Sequence, residues 1–85
     1  MIQKIIEGED YYRTPDLALA TSISLFYPLE AIDKPPSSNR GFFLFKRSEQ
    51  LDVLIESYHK REMRVEPATY FHQLRQIKSR LYGED

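Results

Sequence analysis

The chain has 85 residues, 41% hydrophobic and 29% charged, which is enough for one domain with one core. Its 12 basic and 13 acidic side chains leave a formal net charge of −1, so any affinity for nucleic acid has to come from a local patch. The absence of cysteine excludes disulfides and thiolate chemistry, and it is typical of the cytoplasm, where we expect the protein. No signal peptide and no run of about 20 apolar residues is present, so we expect no membrane partner.

The N-terminal part predicts a short strand followed by a helix. Residues 2–6 show a weak alternating pattern that Gly8-Glu9-Asp10 breaks, so residues 1–9 contain either a short strand or a loose N-terminal segment. Tyr11-Tyr12-Arg13 is a short extended piece. Thr14-Pro15-Asp16 is typical of a helix start, with Thr14 as the cap and Pro15 at the first helical position. The helix that follows is apolar or small on nearly all sides, which indicates a buried helix.

The middle of the chain predicts a hairpin with a long loop. Residues 26–33 favour a strand, although Pro28 limits it to an edge or a late start. Residues 34–39, Lys-Pro-Pro-Ser-Ser-Asn, indicate a loop, and residues 40–47 form the next strand. The loop is either a plain connector or a protruding contact loop.

The C-terminal half predicts two helices. Ser48 is the expected cap of the first, which carries apolar residues at i, i+3, i+4 and i+7. Met63-Arg64-Val65 is interpreted as a short strand. Glu66-Pro67 opens the last helix, and Gly83 is its expected stop.

These elements predict an α+β fold, with a small antiparallel sheet of two to four strands and three helices in a single domain over residues 1–85. One topology is a split βαβ arrangement with an extra C-terminal helix, and the other is a three-helix layer over a hairpin. The expected core consists of apolar residues from the three helices: Leu17, Ala20, Ile23, Leu51, Leu54, Ile55, Tyr58, Leu74, Ile77 and Leu81.

The segment from Arg40 to Arg47, RGFFLFKR, is the strongest binding signal. It is similar to the RNP1 segment of RNA-recognition folds, in which aromatic rings on an open sheet stack on bases. It departs from that pattern because Phe43 replaces a small residue and Arg47 replaces an aromatic one. We expect Phe43 and Phe45 to point inward and Phe42 to stay at least partly accessible, beside Arg40 or Lys46. The alternative is a core strand whose phenylalanines all pack under helices.

A second basic cluster lies near the ends of the last two helices. Residues 60–64 carry three basic side chains, which could converge with Arg75, Lys78 and Arg80 of the last helix, where Arg75 and Lys78 share a face. Such a cluster could hold a phosphate backbone. The alternative is that these cations stabilise helix ends and a solvated face.

We therefore expect a small non-catalytic binding module associated with nucleic acid. The alternative is a protein-interaction subunit or homodimer that uses the same apolar sheet face. The candidate nucleic-acid-binding residues are Arg40, Phe42, Lys46, Arg47, Lys60, Arg61, Arg64, Arg75 and Lys78. His59 and His72 have no metal-ligand spacing and no phosphate-binding loop is present, so we expect no enzyme, catalytic residue, metal or cofactor.

A set of residues spread over most of the chain resembles a known pattern. It comprises Tyr12-Arg13-Thr14-Pro15-Asp16-Leu17, Leu19-Ala20, Phe43-Leu44-Phe45, Leu54, Tyr58, Val65, Pro67, Phe71, Leu74 and Lys78. The spacing resembles a family of short prokaryotic proteins classed as a domain of unknown function. Its members share a capped first helix, an aromatic strand, and two C-terminal helices separated by a turn around Val-x-Pro. The resemblance implies a stand-alone compact domain, and it implies no activity, cofactor or catalytic residue.

Overall fold

A computed structural model describes residues 11–37 and 40–83. The described chain contains β1 (Tyr11–Thr14), α1 (Leu17–Ser24), β2 (Ala31–Asp33), β3 (Phe42–Lys46), α2 (Glu49–His59) and α3 (Pro67–Leu81). This is the predicted α+β fold, with three helices and a small antiparallel sheet. The strand or loose segment predicted in residues 1–9 lies outside the described residues.

The three strands are arranged in the order β1-β3-β2, and both outer strands run antiparallel to β3. The two outer strands are consequently parallel to each other, with α1 connecting them and β3 inserted between them. This is a split βαβ unit, one of the two topologies that the sequence predicts.

The helices pack on one face of the sheet and form the core with it. Phe43 and Phe45 point into this core, as predicted, and are 1% and 0% exposed. The buried cluster joins all three helices to β3 and consists of Leu19, Ala20, Ile23, Phe43, Phe45, Leu51 and Ile77. Of the other expected core residues, five are half-buried and pack against this cluster: Leu17, Leu54, Ile55, Tyr58 and Leu81. Leu74 is half-buried.

Helix α1 begins two residues later than predicted. Its N-cap is Asp16, whose Oδ1 accepts a hydrogen bond from the Leu19 N–H at 3.1 Å. Thr14 pairs with Phe43 in the sheet and is buried, and its hydroxyl oxygen accepts from the Asp16 N–H at 3.1 Å. The prediction of Thr14 as cap and Pro15 as first helical residue is therefore wrong, because sheet pairing holds Thr14 in β1.

Strand β2 is shorter than predicted. The Phe26 and Tyr27 N–H groups both bond the carbonyl of Ile23, at 2.8 and 2.9 Å, so the chain turns after α1 instead of extending. Pro28 has no N–H to donate to a ladder. The first bond to β3 comes from the Glu30 N–H, which donates to the Leu44 carbonyl at 2.9 Å.

The two C-terminal helices have the predicted ends. Ser48 caps α2 by accepting from the Leu51 N–H at 3.0 Å, Pro67 occupies the first turn of α3, and Gly83 follows α3 with a φ of +72°. Glu66 caps α3, and its hydrogen bonds from the Thr69 hydroxyl and from the backbone N–H groups of Thr69 and Ala68 lower its pKa. Across the described ranges, no helix is long and apolar enough to cross a membrane.

The strand predicted at Met63-Arg64-Val65 is absent, and these residues form an irregular connector between α2 and α3. A turn at Arg61 closes α2, and the cap at Glu66 begins α3. The short connector between these two helix ends pairs with no strand of the described sheet, whose edges are formed by β1 and β2.

Candidate nucleic-acid interface

The face of the sheet opposite the helices carries a mixed set of aromatic, charged and apolar side chains. Side chains alternate between the two faces of a strand. Phe42, Leu44 and the residues directly opposite them on the neighbouring strands therefore lie on the face away from Phe43 and Phe45. No helix of the described residues covers this face, which we call the open face. The register places seven residues on it: Tyr11, Arg13, Ala31, Asp33, Phe42, Leu44 and Lys46.

Arg13, Phe42 and Asp33 form a stack across this face, which we call the Arg13 stack. The Arg13 Cζ lies 3.7 Å from the centroid of the Phe42 ring, and its Nη2 lies 3.1 Å from Asp33 Oδ2. The three residues belong to β1, β3 and β2, so the arginine crosses the central strand diagonally. Its guanidinium is thus held over the ring by a cation–π contact and an ion pair.

The Arg13 stack changes the expected role of Phe42. The phenylalanine is half-buried, as the prediction of partial access requires, but Arg13 covers one face of its ring. A base cannot stack on that ring face while the arginine is in place. The guanidinium itself is planar, its side chain is 46% exposed, and arginine planes stack on bases in the same way as aromatic rings.

The other candidate binding residues in and around β3 lie at its two ends. Lys46 is exposed on the open face and lies opposite Tyr11, which is half-buried. Arg47 follows β3 and forms an ion pair with Asp52 of α2 at 3.5 Å. Arg40 is exposed at the other end of the strand and borders a small open cleft of about 360 Å³ beside the C-terminal end of α3.

The second predicted cluster belongs to the helical layer and not to the sheet. Lys60 pairs with Glu56 one turn earlier in α2, at 3.2 Å. Arg64 is exposed in the connector, and Arg75 and Lys78 are exposed on α3. The nine candidate residues therefore do not form one surface, because the sheet and the helices hold them on different sides of the molecule.

Arg61 lies beside an open cavity of about 510 Å³ at the C-terminal end of α2. We call it the α2 cavity. Its lining residues are Ser22, Tyr58, His59, Arg61, Met63 and Val65. The Tyr58 and His59 rings meet edge to face, with centroids 5.4 Å apart, and burial, followed by the charges of Asp16 and Tyr70, raises the pKa of Tyr58. No group of three or more potential metal ligands occurs among the residues described.

Sequence reasoning missed Arg13 and Asp33 as members of the site. Tyr11 and Arg13 are two residues apart in a short extended segment, and this spacing already indicates a shared face. The pairing of that segment with β3 was needed to place the arginine over Phe42. Asp33 carries no signal of its own, because it ends a strand that the sequence predicts poorly.

The fold and the interface together define a small α+β domain with a helical layer on one sheet face and an aromatic, charged surface on the other. Residues 9–83 match the model of the family described as Domain of unknown function (DUF5659), and the chain belongs to that family. The resemblance to a family of unknown function is thereby confirmed. No curated protein and no solved structure matches the chain.

Proposed function

We propose that this protein is a non-catalytic module that binds single-stranded nucleic acid across the open face of its sheet. The observation that carries the proposal is the Arg13 stack, which presents an exposed guanidinium plane on a half-buried ring. Stacking on such planes is tolerant of sequence and suits unpaired bases.

The layout of the open face indicates where a nucleic-acid strand would lie. Tyr11 lies beside Lys46, four residues along β3 from Phe42, which corresponds to about 13 Å in a strand. One base stacks on Arg13, a second contacts the Tyr11 ring, and Lys46 contacts a phosphate. Asp33 repels phosphate at the β2 edge, so the nucleic-acid backbone follows the β1 side.

Titration of a short fluorescein-labelled strand of mixed sequence tests this function. Single-stranded DNA or RNA is expected to bind more tightly than a duplex, and binding weakens as salt rises because phosphate contacts release counterions. Arg13→Ala is expected to weaken binding by at least about fivefold, the lower end of what one stacked base contributes. Lys60→Ala is the matched control, because it also removes one cation but from the helical layer.

Two results would contradict the proposal. The first is no binding of any strand at low salt. The second is an equal loss of affinity in Arg13→Ala and Lys60→Ala, which would show an unspecific effect of charge. Circular dichroism of both variants establishes that each is folded.

The second candidate is a protein-interaction subunit or homodimer. The open face of the sheet offers a protein partner little exposed apolar area, since Leu44 is buried and Phe42 is half-buried. Within the described ranges, the large apolar side chains that are exposed lie elsewhere, and Phe26 (51%) and Val53 (67%) border the same groove. Light scattering tests the homodimer: a dimer that Val53→Asp dissociates supports it, and a monomer contradicts it.

A further inference from the structure

We propose that the α2 cavity binds a small amphipathic anion, that is, a carboxylate or phosphate group carried on an apolar body. The cavity belongs to the helical layer, so this inference is independent of nucleic-acid binding at the sheet. Its volume of about 510 Å³ lies within the range of small-molecule sites. Its lining combines polar side chains, among them Arg61 and Tyr58, with the apolar side chains of Met63 and Val65.

Arg61 stands in a backbone conformation that favours glycine. The Arg61 N–H donates to the Tyr58 carbonyl at 3.0 Å, and the Glu62 N–H donates to the Ser57 carbonyl at 2.9 Å. These two bonds form a Schellman motif, whose C′ residue is left-handed and is usually glycine. Arg61 occupies that position with a φ of +63°.

The turn does not require an arginine at this position, so the reason for the arginine lies in its side chain. Glycine makes the same two backbone bonds without the steric penalty of a Cβ. A strained residue beside a cavity is a pointer to function. Arg61 borders the cavity and forms no ion pair within the described ranges, so its guanidinium can pair with an incoming anion.

Tyr58, which also lines the cavity, supplies a second donor. Its phenol is protonated at neutral pH, and burial together with the charges of Asp16 and Tyr70 raises its pKa further, so the hydroxyl can donate to an anion. The carbonyls of Ser57 and Tyr58, which would repel an anion, already accept the backbone bonds of the Schellman motif. Two of the orphan carbonyls at the C-terminal end of α2 are thus already hydrogen-bonded.

Met63 and Val65 supply the apolar part of the lining. Both are half-buried in the connector and line the cavity. Ser22 borders the cavity from α1, and its hydroxyl donates to the Ala18 carbonyl at 2.9 Å, which leaves it an acceptor and not a donor for a ligand. The anionic group is therefore expected near Arg61 and Tyr58, with the apolar body against Met63 and Val65.

Fluorescence titration with anilinonaphthalene sulfonate tests the inference, because this probe joins a sulfonate to an apolar ring system. Phenylnaphthylamine, which has the same rings without the sulfonate, is the matched probe. We expect the sulfonate to bind and Arg61→Gly to weaken it by about tenfold or more, the loss of one charge-assisted contact. The neutral probe should respond little to Arg61→Gly. The same variant should raise the melting temperature, because glycine relieves the positive φ.

Competition with octanoate and with phenyl phosphate separates the two sources of the anion. Displacement of the probe by either supports the inference and identifies the carboxylate or the phosphate class. Displacement by neither compound overturns the inference, because the probe then binds through its aromatic rings alone. An Arg61→Gly variant that is stabilised but binds the sulfonate as well as the parent chain overturns it too.

Discussion

The two faces of β3 are covered in different ways, although the strand is apolar at four successive positions. Phe43 and Phe45 lie under three helices and are almost completely buried. Phe42, one residue earlier, lies under a single arginine side chain and is half-buried. Among the described residues no second layer of secondary structure covers this face, and the stem and head of Arg13 shield the Phe42 ring instead.

The two covers differ in how easily they can be rearranged. Burial under helices is maintained by many close contacts, and its loss leaves a cavity. The Arg13 cover depends on one cation–π contact and one solvent-exposed ion pair, both of which are weak. The inner face therefore specifies the fold, and the outer face is the one that can respond to a ligand.

The largest expected effect is on the inner face. Phe45→Ala should lower the free energy of unfolding by about 3–5 kcal/mol, because Phe45 is 0% exposed and its removal leaves a cavity among the three helices. Urea denaturation followed by circular dichroism measures it. Phe71→Ala is the matched control, since Phe71 is 56% exposed and the same truncation there should change stability little. Equal effects of the two variants would refute the assignment of Phe45 to the buried inner face.

A smaller effect is expected at Phe42. Phe42→Ala should lower the free energy of unfolding by about 1 kcal/mol, because the ring is half-buried and contributes one cation–π contact. Phe42→Leu keeps an apolar side chain under Arg13 and should recover part of that loss. A destabilisation as large as that of Phe45→Ala would show that the two faces are equally important for folding.

The smallest effect is expected at the edge of the outer face. Asp33→Asn removes the ion pair with Arg13, in which both side chains are about half exposed, so the stability should fall by less than about 1 kcal/mol. Added salt should reduce the difference between the variant and the parent chain. Thermal melts at two salt concentrations measure both. A larger, salt-independent loss would mean that Asp33 holds the sheet together.

The parts of the fold that depend on local chemistry were predictable from the sequence. Ser48, Pro67 and Gly83 mark helix ends through their own side chains or backbone preferences, and each lies where the sequence places it. The prediction of Thr14 as cap is wrong because its pairing with Phe43, 29 residues later, outweighs its local capping preference. The strand predicted over residues 26–33 is too long because the N–H groups of Phe26 and Tyr27 bond back to the Ile23 carbonyl of α1.

In the candidate site, too, the sequence predicts the residues that depend on local pattern and misses those that depend on long-range pairing. Phe42 and Lys46 were identifiable because they belong to one aromatic strand, and both lie on the open face. Arg13 was not, because its place over Phe42 depends on the register between β1 and β3. The helical cations were grouped with the strand by their charge alone, and the fold assigns them to the other layer.

The position of β3 in the middle of the sheet also determines the order in which the chain can assemble. β1 and β2 each pair with β3 and not with each other, so neither has its strand partner until residues 42–46 are available. A chain still being synthesised and ending before Phe42 has no ladder to form between these strands. β2 can close a hairpin with β3 across the eight residues 34–41, whereas β1 must join across 27 intervening residues, a slower step. We therefore expect the hairpin to form first and β1, with Arg13, to complete the sheet.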